Sequence, residues 1–155
     1  MLPLTGKNVV VIGGSRGVGR QIVAAAHGRG ASVLAVARQG PPLSRLADEF
    51  AGCAVLALDA TEDAAPGCVF AALEPDVLVI CAGAFPPAAP LHQLGWREFS
   101  ANWEADVRIA FNFCKAALSR PFRAGTCVIV ISSGAALAGG FTTPFKISVG
   151  VTSRP

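Results

Sequence analysis

Apolar residues in this chain gather in short dense runs, separated by longer stretches of mixed character. The runs at 8–12, 32–37, 54–58, 76–81 and 126–132 are rich in valine, leucine and isoleucine and short enough for strands. Between them, 17–29, 42–50, 64–73 and 96–118 carry apolar residues at helical spacing. Strands that are apolar at nearly every position have both faces buried, as in a parallel sheet whose crossovers are helices. The alternation therefore predicts an α/β fold: a doubly wound parallel sheet of order 3-2-1-4-5, with a ligand crevice at the carboxyl ends of its strands. Pro86-Pro87-Ala88-Ala89-Pro90 reads as a loop between the fourth strand and the long helix, and no repeat or interdomain linker interrupts the pattern.

The first strand-to-helix crossing carries the most chemistry. Val9-Val10-Val11-Ile12 passes through Gly13-Gly14-Ser15-Arg16-Gly17-Val18-Gly19 straight into a helix-compatible segment. Gly13 lets the chain turn tightly off the strand, Gly17 lets backbone N–H groups approach a pyrophosphate, and Gly19 lets the helix pack closely on the sheet. The helix start then offers unpaired donors and a partial positive charge to phosphate. Such glycines also occur in plain loops. The strand before and the amphipathic run after are the context that a dinucleotide-binding unit needs.

Composition narrows the class. At 155 residues, 52% hydrophobic and 15% charged, the chain can bury a sizeable core as one domain and is too apolar for disorder. The five cysteines form no Cys-x-x-Cys pair, and Cys53, Cys81 and Cys127 lie in or at the edge of strand-like runs. Buried free thiols are thus expected, rather than zinc ligands or disulfides, which fits a reducing cytoplasm. The first eight residues do not form a signal peptide, and no apolar stretch reaches the roughly 18 residues of a membrane span. Charge is uneven, net −3 through Asp106 and +6 beyond it, but the basic residues are scattered, which argues against a nucleic-acid partner. No metal site is expected.

Four ordered motifs carry a family resemblance. Ile12-Gly13-Gly14-Ser15-Arg16-Gly17-Val18-Gly19 resembles the Thr-Gly-x-x-x-Gly-x-Gly signature of the short-chain dehydrogenase/reductase family, with Ile12 in place of threonine. Asp59-Ala60 is similar to the acidic element that follows strand three and meets the adenine. Ile80-Cys81-Ala82-Gly83 resembles Asn-Asn-Ala-Gly, keeping only Ala82 and Gly83. Ile129-Val130-Ile131-Ser132-Ser133-Gly134 resembles the strand that delivers a catalytic serine. The resemblance implies a Rossmann-like domain over 1–138, incomplete at its C-terminus, followed by an irregular tail over 139–155. It also implies hydride transfer between a nicotinamide cofactor and a small-molecule carbonyl or alcohol, and homo-oligomers in relatives. Other roles stay open at two of these motifs: Asp59 as a turn former or helix cap, with Thr61 an alternative cap, and Ala82-Gly83 as the plain end of a buried strand.

Charge also bears on cofactor choice. An acid at the end of strand two would receive the ribose hydroxyls of NAD, whereas Val36-Ala37-Arg38 places a cation there, and Arg16 lies in the glycine turn facing the same region. Two guanidinium groups suit a 2′-phosphate, so NADP is expected ahead of NAD; the alternative is that both are ordinary surface charges.

The catalytic set implied by the resemblance is only partly present. Ser133 fits the serine, and counting back from Ala116-Ala117-Leu118 puts Asp106 at the asparagine position, with Asn102 a less well registered candidate. The chain has no tyrosine. Where Tyr-x-x-x-Lys should lie, Thr142 precedes Lys146 by four residues, and a threonine hydroxyl is too weak an acid for that task. His27 reads as a helix-surface or half-buried histidine and His92 as a loop residue. Trp96 and Trp103, seven apart, read as packing residues. The expectation is a truncated or frame-shifted reading of a longer dehydrogenase, with strand five as an exposed sheet edge. Two functions follow: an NADP-dependent oxidoreductase, or a catalytically silent nucleotide-binding module.

Overall fold

The computed structural model describes residues 4–85 and 89–132. Its elements run β1 (Asn8–Ile12), α1 (Gly17–His27), β2 (Ser32–Ala37), α2 (Pro41–Glu49), β3 (Ala54–Ala57), α3 (Ala65–Ala72) and β4 (Val77–Ile80). A short 3₁₀ turn at Leu91–Gln93 then leads to α4 (Trp96–Asn102), a π-helical stretch Trp103–Val107, α5 (Arg108–Leu118) and β5 (Cys127–Val130). The five strands are parallel in the order β3-β2-β1-β4-β5, as the apolar pattern predicts. Ile12 pairs with both Val36 and Ile80, and Ile80 with Val130, so the carboxyl ends of β2, β1, β4 and β5 lie side by side.

Alternation along the strands divides the core in two. Val10, Ile12, Leu34, Val36, Leu78 and Ile80 point to one face, against Val69 and Phe70 of α3 and Ile109 and Phe113 of α5. Val9, Val11, Val33, Ala35 and Val79 point to the other, against Val23 and Ala26 of α1 and Leu46 of α2. Phe113 is wholly buried and meets the edge of the Phe70 ring, with centroids 5.9 Å apart. At the amino end of the sheet Asp76 ties three strands together. Its carboxylate accepts the Asn8 N–H at 2.8 Å, its N–H reaches the Asn8 carbonyl, and its carbonyl takes the Cys127 N–H.

The sequence pattern and the fold differ in four places. The single helix expected over 96–118 is broken by the π-helical stretch, an extra residue in one turn that hydrophobic spacing does not reveal. Trp96 and Trp103 do not pack into the core but stand in solvent, because helical spacing shows that residues share a face, not where that face looks. Of the three strand-run cysteines only Cys53 is buried; Cys81 is half-buried, and Cys127 is exposed because β5 is an edge strand among the described residues. Thr61 caps nothing: α3 starts later, at Ala65, with a proline in its first turn. Ser133, Thr142, Lys146, the 139–155 tail and part of the proline loop lie outside the described residues.

Candidate functional site

The carboxyl ends of the strands open into a crevice of about 1660 Å³. It is lined by the glycine turn after β1, the segment after β2, Asp59 and Ala60 after β3, the loop after β4, and one side of α4 and the π-helical stretch. The glycine turn sits at the centre. Gly13 has φ +86°, and a Cβ there would come within 2.6 Å of the Ala82 backbone nitrogen, so turn and β4 loop approach as closely as glycine allows. Gly17 has φ +54° with open space around it, and Gly19 packs against the Gly13 carbonyl so tightly that no side chain fits. Arg16 is the N-cap residue of α1 and makes no side-chain cap, which leaves the first-turn N–H groups beside Ser15, Gly17 and Val18 without a side-chain acceptor among the described residues. That open cradle at a helix start fits a pyrophosphate.

The two arginines part company. Arg38 follows β2, is exposed, and makes no ion pair among the described residues. Arg16, expected to face the same region, instead lays its guanidinium over the Phe85 ring, 5.0 Å from its centroid. Phe85 lies past β4, on the other flank of β1 from Arg38, and an exposed ring attracts a cation through its π face. Asp59 forms an Asx turn, accepting the Thr61 N–H at 2.9 Å and the Thr61 hydroxyl at 2.7 Å. These hydrogen bonds hold its carboxyl below the usual carboxylate range. Ala60 beside it is buried.

The loop after β4 is held from the helix side. Asp106, on the π-helical stretch, accepts the Ala84 N–H at 2.7 Å, and Asn102 donates to the Ala84 carbonyl at 2.9 Å and to Asp106 at 3.2 Å. Both registrations considered for the asparagine position thus converge on one residue of the loop. A Cβ at Gly83 would stand 2.5 Å from the Asp106 carboxylate, so a larger residue there would push that side chain off the loop. Ser132 reaches the crevice at the end of β5. His27 is half-buried and pairs with the Ala51 carbonyl at 2.9 Å, and His92 is exposed in the 3₁₀ turn. Among the described residues no cluster of histidine, cysteine or acid could hold a metal, and no helix is long and apolar enough to cross a membrane.

Missing from the sequence-derived site is an aromatic wall, made of Phe85, Trp96, Phe99 and Trp103. The spacing 96, 99, 103 carried the signal of a shared helix face; its direction came only from the fold.

A central glycine turn opening into a crevice at the carboxyl ends of a parallel sheet defines the doubly wound α/β class. Within that class the chain belongs to the short chain dehydrogenase family, whose pattern matches residues 7–145. It is 32% identical over 154 residues to the short chain dehydrogenase/reductase AacuD of Aspergillus aculeatus, covering 94% of this chain and 53% of that protein. It is 45% identical over 89 residues to a short chain dehydrogenase of Pseudocercospora fijiensis, covering 52% of this chain and 29% of the relative. The chain thus spans about half, or less, of the curated relatives it matches. Among solved structures, a blue fluorescent protein from a metagenomic library, in complex with NADPH, superposes with a TM-score of 0.77 at 26% identity, covering 92% of this chain and 62% of that one. A short-chain dehydrogenase/reductase from Brucella melitensis shares the fold with a TM-score of 0.82 at 21% identity, covering 90% and 62% of the two chains.

Proposed function

We propose that this chain forms the cofactor-binding portion of an NADP-dependent oxidoreductase acting on a carbonyl or alcohol. The observation that carries the reading is the uncapped glycine turn at the start of α1, flanked after β2 by Arg38 where NAD-preferring sites place an acid. Gly13, Ser15, Gly17, Val18 and Gly19 would hold the pyrophosphate by backbone N–H groups. Arg38 would bind the 2′-phosphate, and Asp59 and Ala60 would border the adenine. Arg16, drawn to Phe85, contributes less to the 2′-phosphate than its sequence position implies. Ala82 and Gly83 leave room for a flat ring beside β4, on a loop that Asp106 and Asn102 hold in place.

When bound, the nicotinamide would give a hydride to a carbonyl or, in its oxidised form, take one from an alcohol. The chain's own part is to orient it, and Ser133, following β5, is the residue that would hydrogen-bond the substrate oxygen. The bound NADPH of the metagenomic relative supports the cofactor assignment. A second reading, nucleotide binding without turnover, is favoured by the complete lack of tyrosine.

The test is titration of the chain with NADPH and NADH. NADPH is expected to bind the more tightly, and Arg38→Ala to weaken NADPH alone by about 10–100-fold, the loss of a charged hydrogen-bond partner. Equal affinity for both cofactors, unchanged by Arg38→Ala, would overturn the NADP preference. NADPH oxidation in the presence of ketones and aldehydes then separates the enzyme from the silent module.

A further inference from the structure

The crevice has two unlike walls. The β1–β2–β3 side is polar, built of backbone N–H groups, Arg38 and Asp59. The β4–α4 side presents Phe85 and Trp96, each 78% exposed, Trp103 at 56% and Phe99 at 37%. Trp96, Phe99 and Trp103 are spaced as one helical stripe, and the Trp96 and Phe99 rings lie 5.7 Å apart, tilted by 40°. Leaving that much aromatic surface in water costs free energy in proportion to its area, and such patches mark binding surfaces. The stripe faces into the same concavity as the glycine turn, so its occupant is a molecule small enough to share the crevice with a nucleotide.

From this we infer that the β4–α4 wall is the substrate side of the crevice, and that it takes an uncharged, flat ring system bearing the reacting carbonyl or alcohol. The inference rests on the nucleotide-binding reading above, which assigns the opposite wall to the cofactor. Rings are favoured over alkyl chains because indole and phenyl faces gain from offset or edge-on aromatic partners beyond plain burial. Charge selects neutrality. Glu104 and Asp106 stand on this wall, and a carboxylate or phosphate on the substrate would meet two acids there. A cationic substrate would meet Arg16, whose guanidinium already lies over the Phe85 ring on this wall.

Calorimetric titration of the full chain with acetylnaphthalene and with dodecanone, a straight-chain ketone of equal carbon count, tests it. Acetylnaphthalene should bind saturably and at least about tenfold more tightly than dodecanone, and Trp103→Ala or Trp96→Ala should weaken it about tenfold. Phe111→Ala, an exposed aromatic outside the crevice, should leave that affinity unchanged. Equal affinity for the two ketones overturns the inference. So does indifference to both tryptophan variants, or self-association of the chain that Trp103→Ala abolishes, since the stripe would then serve a second copy. NADPH is titrated alongside. If it binds while the ring ketone does not, this inference falls alone; if NADPH fails to bind, the nucleotide reading falls and takes this one with it.

Discussion

The centre of the sheet and its β5 edge are built from the same residue types and end in opposite environments. In β1, Val9, Val10, Val11 and Ile12 are all essentially inaccessible, because α1 and α2 cover one face and α3 and α5 the other. In β5, Val128 and Val130 pack on the α3–α5 core, whereas Ile129 and, just past the strand, Ile131 alternate with them and are each 41% exposed. Burial in a strand is therefore set by what lies over each face and not by hydropathy. The contrast continues at the crevice, where the β1–β2 side presents a polar cradle and the β4 side presents rings.

The sharpest way to break the comparison is to make the same deletion in both places. Ile12→Ala removes a side chain with no accessible surface and should cost about 2–5 kcal/mol, the loss of buried methyl groups plus the cavity left behind. Ile129→Ala should cost about 1 kcal/mol or less, because its side chain already meets water. Urea unfolding of the two variants beside the parent measures both. Equal losses would show that the outer face of β5 is as well covered as the centre.

The sequence predicts strand five as an exposed edge, but not which of its side chains meet solvent, for a physical reason. Val9 to Ile12 and Val128 to Ile131 are equally apolar, so both read correctly as strands, and right-handed crossovers then place them in order. Nothing local states that no helix among the described residues covers Cys127 and Ile129. The glycine turn was legible because its residues act through backbone geometry, as the φ of Gly13 and its contact with Ala82 illustrate. Arg16 was less so. Its position in the turn said where its Cα lies, and the exposed Phe85 ring decided where its guanidinium goes. Trp96 and Trp103 repeat the lesson, since spacing put them on one face and only the fold turned that face to the crevice.

Centre and edge are joined at Asp76, which makes acid a second probe. The Asn8 N–H, and after it Lys7, hold its carboxyl below the usual range. A lowered folded-state pKa means that the contribution is fully present above the ordinary value of 3.8 and is lost as pH falls through the lower folded value. Protection of the Asn8 amide of β1, measured against its intrinsic exchange rate, should therefore fall as the solution is acidified toward that range, while the Cys127 amide of β5, held by the Asp76 backbone carbonyl, stays protected. Asp76→Asn, which offers Asn8 only a neutral acceptor, should already show the lower Asn8 protection at neutral pH and lose its acid dependence. Equal loss of protection at Asn8 and Cys127 in the parent would mean that the carboxylate does not act on the centre alone.

The mildest probe leaves the fold intact and reads the open face directly. Cys81 continues from β4 and is half-buried against the α1–α2 core, and burial pushes its thiol up to about 11. Cys127 pairs with Val77 at the start of β5 and is exposed. The thiolate is the nucleophile, so near pH 8 Cys81 is almost wholly protonated and should react with iodoacetamide far more slowly than Cys127. Its rate should climb about tenfold per pH unit without a plateau until pH approaches 11, because each unit multiplies the small thiolate fraction by ten. Peptide mapping of labelled protein separates the two sites. Should Cys127 prove as slow as Cys81, something covers the outer face of β5 in solution, and centre and edge would then be sealed alike.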